Sequence, residues 1–148
     1  MNEKFYLAYG SNLNLKQMAM RCPDAKVVDK SILENYFLLF RGAHESAVAT
    51  VEPMNDGNVP VLIWEISPTD EAELDRYEGF PFFYRKEKVK VQLAGKTITG
   101  MIYIMNEGRS MGTPSCYYYS VILEGYKTAN FDINILRAAV NNSKEVDS

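Results

Sequence analysis

Apolar residues along this chain follow two periods, one of two and one near 3.6. From Phe5 to Tyr9 the period is two, with Phe5, Leu7 and Tyr9 on one face, which predicts a first strand. Gly10 ends it. Asn12-Leu13-Asn14-Leu15 then leads into a short helix through Met18 to about Arg21, stopped by Pro23. Asn35 to Arg41, Ala47 to Val51 and Val59 to Ile66 read as three further strands, the last with Val59, Val61 and Ile63 on a buried face. Asn55-Asp56-Gly57-Asn58 reads as the turn between the third and fourth strands.

At Ser67 the period changes. Ser67-Pro68-Thr69-Asp70 is a helix start: serine caps, proline takes the first helical position and an acid follows at the third. Leu74, Tyr77 and Phe80 are expected to face the core, and Gly79 to end the helix. Tyr84 to Leu93 alternates Val89, Val91 and Leu93 with Lys88, Lys90 and Gln92, and Ala94-Gly95-Lys96 turns it back into a partner over Ile98 to Met105. Thr113-Pro114-Ser115 opens another helix, expected to end at Gly125. Asp132 caps a last helix with an apolar stripe of Ile135, Leu136, Ala139 and Val140. Six strands, a few inserted helices and no βαβ regularity predict an α+β fold. Its sheet should be mostly antiparallel and curled into a small mixed barrel with flanking helices. No repeat or linker divides the chain, so 1–148 reads as one domain, with a polar tail from about Asn141 expected to fray.

Composition narrows the function. The 148 residues suit one domain, and the net charge is −3 with no cluster of Lys and Arg, which argues against nucleic acid. Lys86, Lys88 and Lys90 alternate as the solvated face of a strand. No apolar stretch approaches the roughly 18–20 residues of a membrane span. Met1 to Phe5 lacks the apolar run of a signal peptide, so a cytoplasmic protein is expected. Two cysteines, Cys22 and Cys116, and one histidine, His44, make neither a disulfide framework nor a metal site, and no cofactor is expected. The sequence leaves the oligomeric state open.

Three groups of residues can carry chemistry. Tyr9-Gly10-Ser11-Asn12-Leu13 stands where a strand turns into a helix. Glycine lets backbone approach a ligand, and unpaired N–H groups at a helix start favour an anion or a developing oxyanion. A plain strand-to-helix turn capped by Ser11 or Asn12 is the simpler account. Glu78 falls in the last turn of its helix, where the dipole disfavours a negative side chain. This raises its pKa, more so if Tyr77, Phe80 and Phe82 shield it. Such a carboxylate suits proton transfer near neutral pH; an exposed glutamate before a capping glycine is the alternative. Tyr103 and the run Tyr117-Tyr118-Tyr119 offer apolar walls with hydroxyl donors, against core packing as the alternative. One helical turn lets at most two of the three face one pocket. A Cys22–His44 pair, or a triad built on Ser11 and His44, rests on residue types only, and no Gly-x-Ser-x-Gly elbow is present.

Taken together, these motifs resemble the γ-glutamylcyclotransferase (AIG2-like) family. The matching pieces are Phe5 to Leu13, then Leu74-Asp75-x-x-Glu78-Gly79 followed by Tyr84 and its strand, then Tyr103-Ile104-Met105, then Pro114-Ser115 with Tyr118 and Gly125-Tyr126. They occur in the family's order over about residues 5 to 126. The resemblance implies a small barrel with a pocket at its mouth and a small-molecule γ-glutamyl substrate. It also implies backbone donors from Tyr9, Gly10, Ser11, Asn12 and Leu13, Glu78 as catalytic acid/base, and Tyr103 and Tyr118 as pocket lining. The family's glutathione-specific branch has a different loop sequence. A γ-glutamyl amide carries its own nucleophile, the α-amine, placed to close a five-membered lactam on the γ-carbonyl. It needs no metal, cofactor or protein nucleophile, only a proton acceptor. Glu78 fits that role, with 5-oxoproline and a free amine as products. Two other classes stay open: a binding module that holds a small metabolite without turnover, and an amide hydrolase that releases glutamate.

Overall fold

A computed structural model describes residues 4–144. Five strands form one sheet: β1 (Lys4–Ala8), β2 (Lys26–Ala43), β3 (Ser46–Ile66), β4 (Tyr84–Leu93) and β5 (Lys96–Met105). Their order is β2-β3-β1-β5-β4, with β1 and β5 parallel and the other neighbours antiparallel. The helices are α1 (Leu15–Arg21), α2 (Pro68–Glu78), α3 (Cys116–Ala129) and α4 (Ile133–Asn142), and a 3-10 turn over Ser11–Leu13 precedes α1. The fold is α+β, as expected, and the sheet is open rather than a closed barrel. No ladder joins β2 to β4 among the described residues. The two edges meet through a side chain, where Ser31 Oγ donates to the Gln92 carbonyl at 2.7 Å.

The expected count of six strands falls to five because the third and fourth are one. Residues 54–57 are not a hairpin turn. They bulge opposite Asn35, between the pairs Glu34↔Asn58 and Tyr36↔Pro53, and β3 continues in the same direction. Asn35 and Asp56 take left-handed backbone there, at φ 66 and 64, and Asn35 Oδ1 accepts from the Asp56 N–H. Polar residues that favour turns also favour bulges, so the local signal was read correctly and its consequence was not. β2 likewise begins nine residues before Asn35. Its first half buries only Leu33 and leaves Val27, Val28 and Ile32 exposed, so no two-residue alternation marks it.

The ends of α2 are built as the sequence predicts; of the residues expected to face the core, Leu74 is buried and Phe80 packs partly against the core, but Tyr77 is 43% exposed. Ser67 accepts from the Asp70 N–H, Asp70 returns a bond to the Ser67 N–H, and Gly79 ends the helix in the left-handed conformation. α3 runs through Gly125 and ends at Asn130 (φ 61). Gly125 is there for close approach: a Cβ would lie 2.7 Å from Leu13 Cβ, so the glycine lets α3 press onto the loop after β1. α4 continues past Asn141, and Ser143 is buried with its Oγ accepting from the Phe40 N–H. The rest of the expected tail, 145–148, lies outside the described residues. Leu7, Leu13, Phe40, Ile63, Leu74, Ile102, Tyr126 and Leu136 anchor the core between sheet and helices.

Candidate active site

β3 is longer than its partner β1, and that difference opens a cavity. Residues Leu62 to Glu65 pair with β1 on one edge and β2 on the other. Residues 46–51 have only β2, because β1 stops at Ala8 and the chain turns away at Gly10. The backbone groups exposed on this edge still need partners, and they find them outside the sheet. The Ala49 N–H donates to Tyr118 Oη at 3.0 Å, Tyr84 Oη donates to the Ala49 carbonyl at 2.6 Å, and the Ala47 N–H donates to the Thr113 carbonyl at 3.1 Å. Side chains standing in for a strand leave a cavity of about 240 Å³ between them. That is below the ~300 Å³ lower end for drug-sized ligands and suits an amino-acid-sized group.

The lining brings together most of the residues singled out from the sequence. Tyr9, Gly10, Ser11, Asn12, Glu78, Tyr103 and Tyr118 all face the cavity. Leu13 does not. Its side chain is fully buried under Gly125, and its N–H is bonded to the Gly10 carbonyl at 3.0 Å. A Cβ on Gly10 would stand 3.2 Å from the Ala49 methyl and 3.7 Å from the Tyr118 hydroxyl, so the absence of a side chain there keeps the cavity open. Sequence reasoning missed Tyr6, Val48 and Ala49 as cavity residues; Tyr77, expected to shield Glu78, lines the cavity with Phe83 and Tyr84 of the aromatic segment that follows α2. The three tyrosines had a signal: Tyr6 and Tyr77 flank the two motifs, and Tyr84 opens the strand after the second. Of the run at 117–119 only Tyr118 reaches the cavity; Tyr117 is 70% exposed.

Six tyrosines line the site, and their hydroxyls are not equivalent. Tyr9 donates to the Tyr103 carbonyl at 2.6 Å, Tyr84 to the Ala49 carbonyl, and Tyr103 to Asp75 Oδ1 at 2.6 Å. Tyr77 and Ser11 share one bond of 2.9 Å. Tyr6 and Tyr118 instead accept, from Asn12 Nδ2 and the Ala49 N–H. Burial raises the pKa of Tyr6, Tyr9, Tyr84, Tyr103 and Tyr118, so these phenols are neutral at physiological pH.

Glu78 is the one acid in this lining, and no histidine, cysteine, lysine or arginine lines the cavity with it among the described residues. Loss of hydration lifts its pKa to about 7, against a smaller downward pull from the Arg21 guanidinium. The shielding differs from expectation. Phe82 is 86% exposed and Phe80 is not in the lining; the aromatic wall comes from Tyr77, Phe83, Tyr84 and the tyrosines of β1, β5 and α3. Cys22 lies elsewhere, at the end of α1, with Sγ on the Asp70 carbonyl and its thiol pushed up by burial to about 12, so it is no nucleophile. No metal-binding cluster of His, Cys, Asp and Glu occurs among the described residues, and no described helix is long and apolar enough to cross a membrane.

Known proteins share this architecture. The solved structure of a gamma-glutamyl cyclotransferase superposes with a TM-score of 0.84 at 24% identity, covering 99% of this chain and 91% of its own. A yeast gamma-glutamyl cyclotransferase specific to glutathione has the same fold, with a lower TM-score of 0.65 at 12% identity over 98% of both chains. In sequence, the Homo sapiens protein named gamma-glutamylcyclotransferase is 29% identical over 131 residues, which span 82% of this chain and 69% of that protein. The model of one family, gamma-glutamyl cyclotransferase, AIG2-like, matches residues 6–120, and the chain belongs to that family.

Proposed function

We propose that this protein releases 5-oxoproline from a γ-glutamyl amino acid or γ-glutamylamine, with Glu78 as general acid and base. The observation that carries the reading is a single carboxylate, with a pKa of about 7, set among neutral phenols in a small cavity. The substrate's ammonium first loses a proton to Glu78. An α-amine has a pKa of roughly 8, so that transfer is uphill by about one unit, or ~1.4 kcal/mol; for an ordinary glutamate it would be more than three units. The freed nitrogen attacks the γ-carbonyl carbon and forms the five-membered ring. Holding both ends of one molecule in place removes much of the entropic barrier.

The tetrahedral intermediate carries an oxyanion. The loop Gly10 to Asn12 and the hydroxyls left free to donate supply its partners, with Tyr9 and Tyr103 as walls and Leu13 holding the loop from the core side. Glu78 then returns a proton to the leaving nitrogen as its bond to carbon breaks. Of the three ammonium protons, one stays on the lactam nitrogen and two finish on the leaving amine. No water is consumed.

Incubation with γ-glutamyl-alanine and a panel of γ-glutamylamines, with products read by mass spectrometry, tests the reading. 5-Oxoproline is the expected product. Free glutamate would indicate hydrolysis, and no product from any substrate would leave a binding module.

A further inference from the structure

Arg21 does not line the cavity, yet two residues that do are attached to it. Its Nη1 donates to Asn12 Oδ1 at 2.6 Å, and its guanidinium lies 3.6 Å over the Tyr77 ring. Nη2 donates to Gln17 Oε1 at 2.7 Å, and no carboxylate pairs with Arg21 among the described residues.

These contacts fix a direction. A guanidinium has five donors and no acceptor. Asn12 must therefore turn its oxygen to Arg21 and its NH2 group to Tyr6, and Nδ2 does lie 2.9 Å from Tyr6 Oη. Tyr6 accepts that bond, so its own proton goes elsewhere. Tyr6 is 4% exposed and Asn12 2%, which removes bulk solvent as the recipient, and both line the cavity. We propose that Arg21 is a positioning residue which, acting through Asn12, turns the Tyr6 hydroxyl proton into the cavity as a donor to an anionic oxygen of the γ-glutamyl substrate. This rests on the cyclotransferase reading. Tyr6 and Glu78 line the same small cavity, and the charge of Glu78 adds to burial in raising the Tyr6 pKa. The other titratable groups around Glu78 are Tyr9 after β1, Tyr77 on α2, Tyr84 on β4, Tyr103 on β5, Tyr118 on α3 and Arg21 on α1.

Asn12→Asp gives the decisive variant. A carboxylate still accepts from Arg21, and more strongly. It cannot donate to Tyr6, so the Tyr6 proton swings back onto it and away from the cavity. A purely structural role for the relay predicts that Asn12→Asp keeps activity. The relay predicts a loss of at least about tenfold in kcat/KM, measured on the alkaline plateau where Glu78 is ionised in every variant. Tyr6→Phe, which removes one oxygen, should lose a similar factor and add little on top of Asn12→Asp. A fall in kcat would mark the oxyanion as the recipient; a rise in KM alone would mark the glutamyl carboxylate. Arg21→Lys, which supplies charge without the fork, should fall between these variants and the wild type. Calorimetric binding of 5-oxoproline to the same folded variants should weaken in the same order even if no substrate is turned over, which separates this inference from the proposed function. Full activity in both Asn12→Asp and Tyr6→Phe, or unchanged binding in both where nothing is turned over, would overturn it.

Discussion

The two ends of α2 carry the same side chain in opposite settings. At the first turn, Glu71 lies 3.0 Å from Lys4 Nζ and 2.8 Å from Lys86 Nζ. Burial alone would raise its pKa, but hydrogen bonds from Lys86 and Lys4 more than reverse that and lower it. At the last turn, Glu78 has no such partner among the described residues, and loss of hydration pushes it up to about 7. Loss of hydration acts on both carboxylates and is the larger influence at Glu78, which is buried more deeply around its charged group. The placement of cations widens the separation. Lys86, which also pairs with Asp75 at 3.0 Å, serves the first end, while Arg21 reaches the other end only as a more distant charge. A fold that neutralises Glu71 and leaves Glu78, two turns on, without an ion-pair partner among the described residues holds a carboxylate near neutrality at a cost in stability, as the proposed proton transfer requires.

The largest expected effect is on turnover. Glu78→Gln should lower 5-oxoproline release by roughly 10²–10⁴-fold, the usual range for a lost general acid/base, while Glu71→Gln keeps it within a few-fold. A Glu78→Gln variant at full rate would erase the contrast between the two ends. Next comes pH. Because Glu78 must be ionised to accept a proton, kcat/KM for γ-glutamyl-alanine should rise with pH and reach half its plateau near pH 7.

Stability should move in opposite directions at the two ends. For Glu78 the folded pKa lies above the unfolded value, so its favourable contribution is present below about pH 4.5 and is lost as pH rises through about 7. Denaturant titrations should show Glu78→Gln more stable than wild type at pH 8 by up to about 3 kcal/mol, with the gain vanishing at pH 4. Glu71 has the opposite sign. Its lowered pKa gives stability above the unfolded value that is lost as pH falls through the folded one, so Glu71→Gln should cost about 1 kcal/mol or less at pH 7 and progressively less in acid. Equal effects of both substitutions on stability at pH 8 would show that the lysines do not distinguish the two sites.

Local chemistry made α2 legible in the sequence: the capping box at Ser67 and Asp70 and the left-handed Gly79 are short-range devices, and both stand where the pattern puts them. Glu78 and the loop from Tyr9 to Asn12 were legible through their motifs, and the cavity gathers them. The end of α3 was misread because glycine breaks helices by default, whereas Gly125 answers to Leu13, more than a hundred residues away in sequence. The first half of β2 was invisible because a strand with both faces wet has no alternation to read. Least legible was the division of labour among the tyrosines. Whether a hydroxyl donates or accepts depends on partners such as Ala49, Asp75 and Asn12, and those are set by the unpaired edge of β3, which no local pattern announces.

The central claim is that Glu78 is a carboxylate held near neutrality by its aromatic surroundings. A carbon-13 NMR titration of the glutamate side-chain carboxyls, with Glu78→Gln to assign the signal, measures this directly. A midpoint near pH 7 is the predicted result; one near the ordinary glutamate value of about 4.3 would contradict the account.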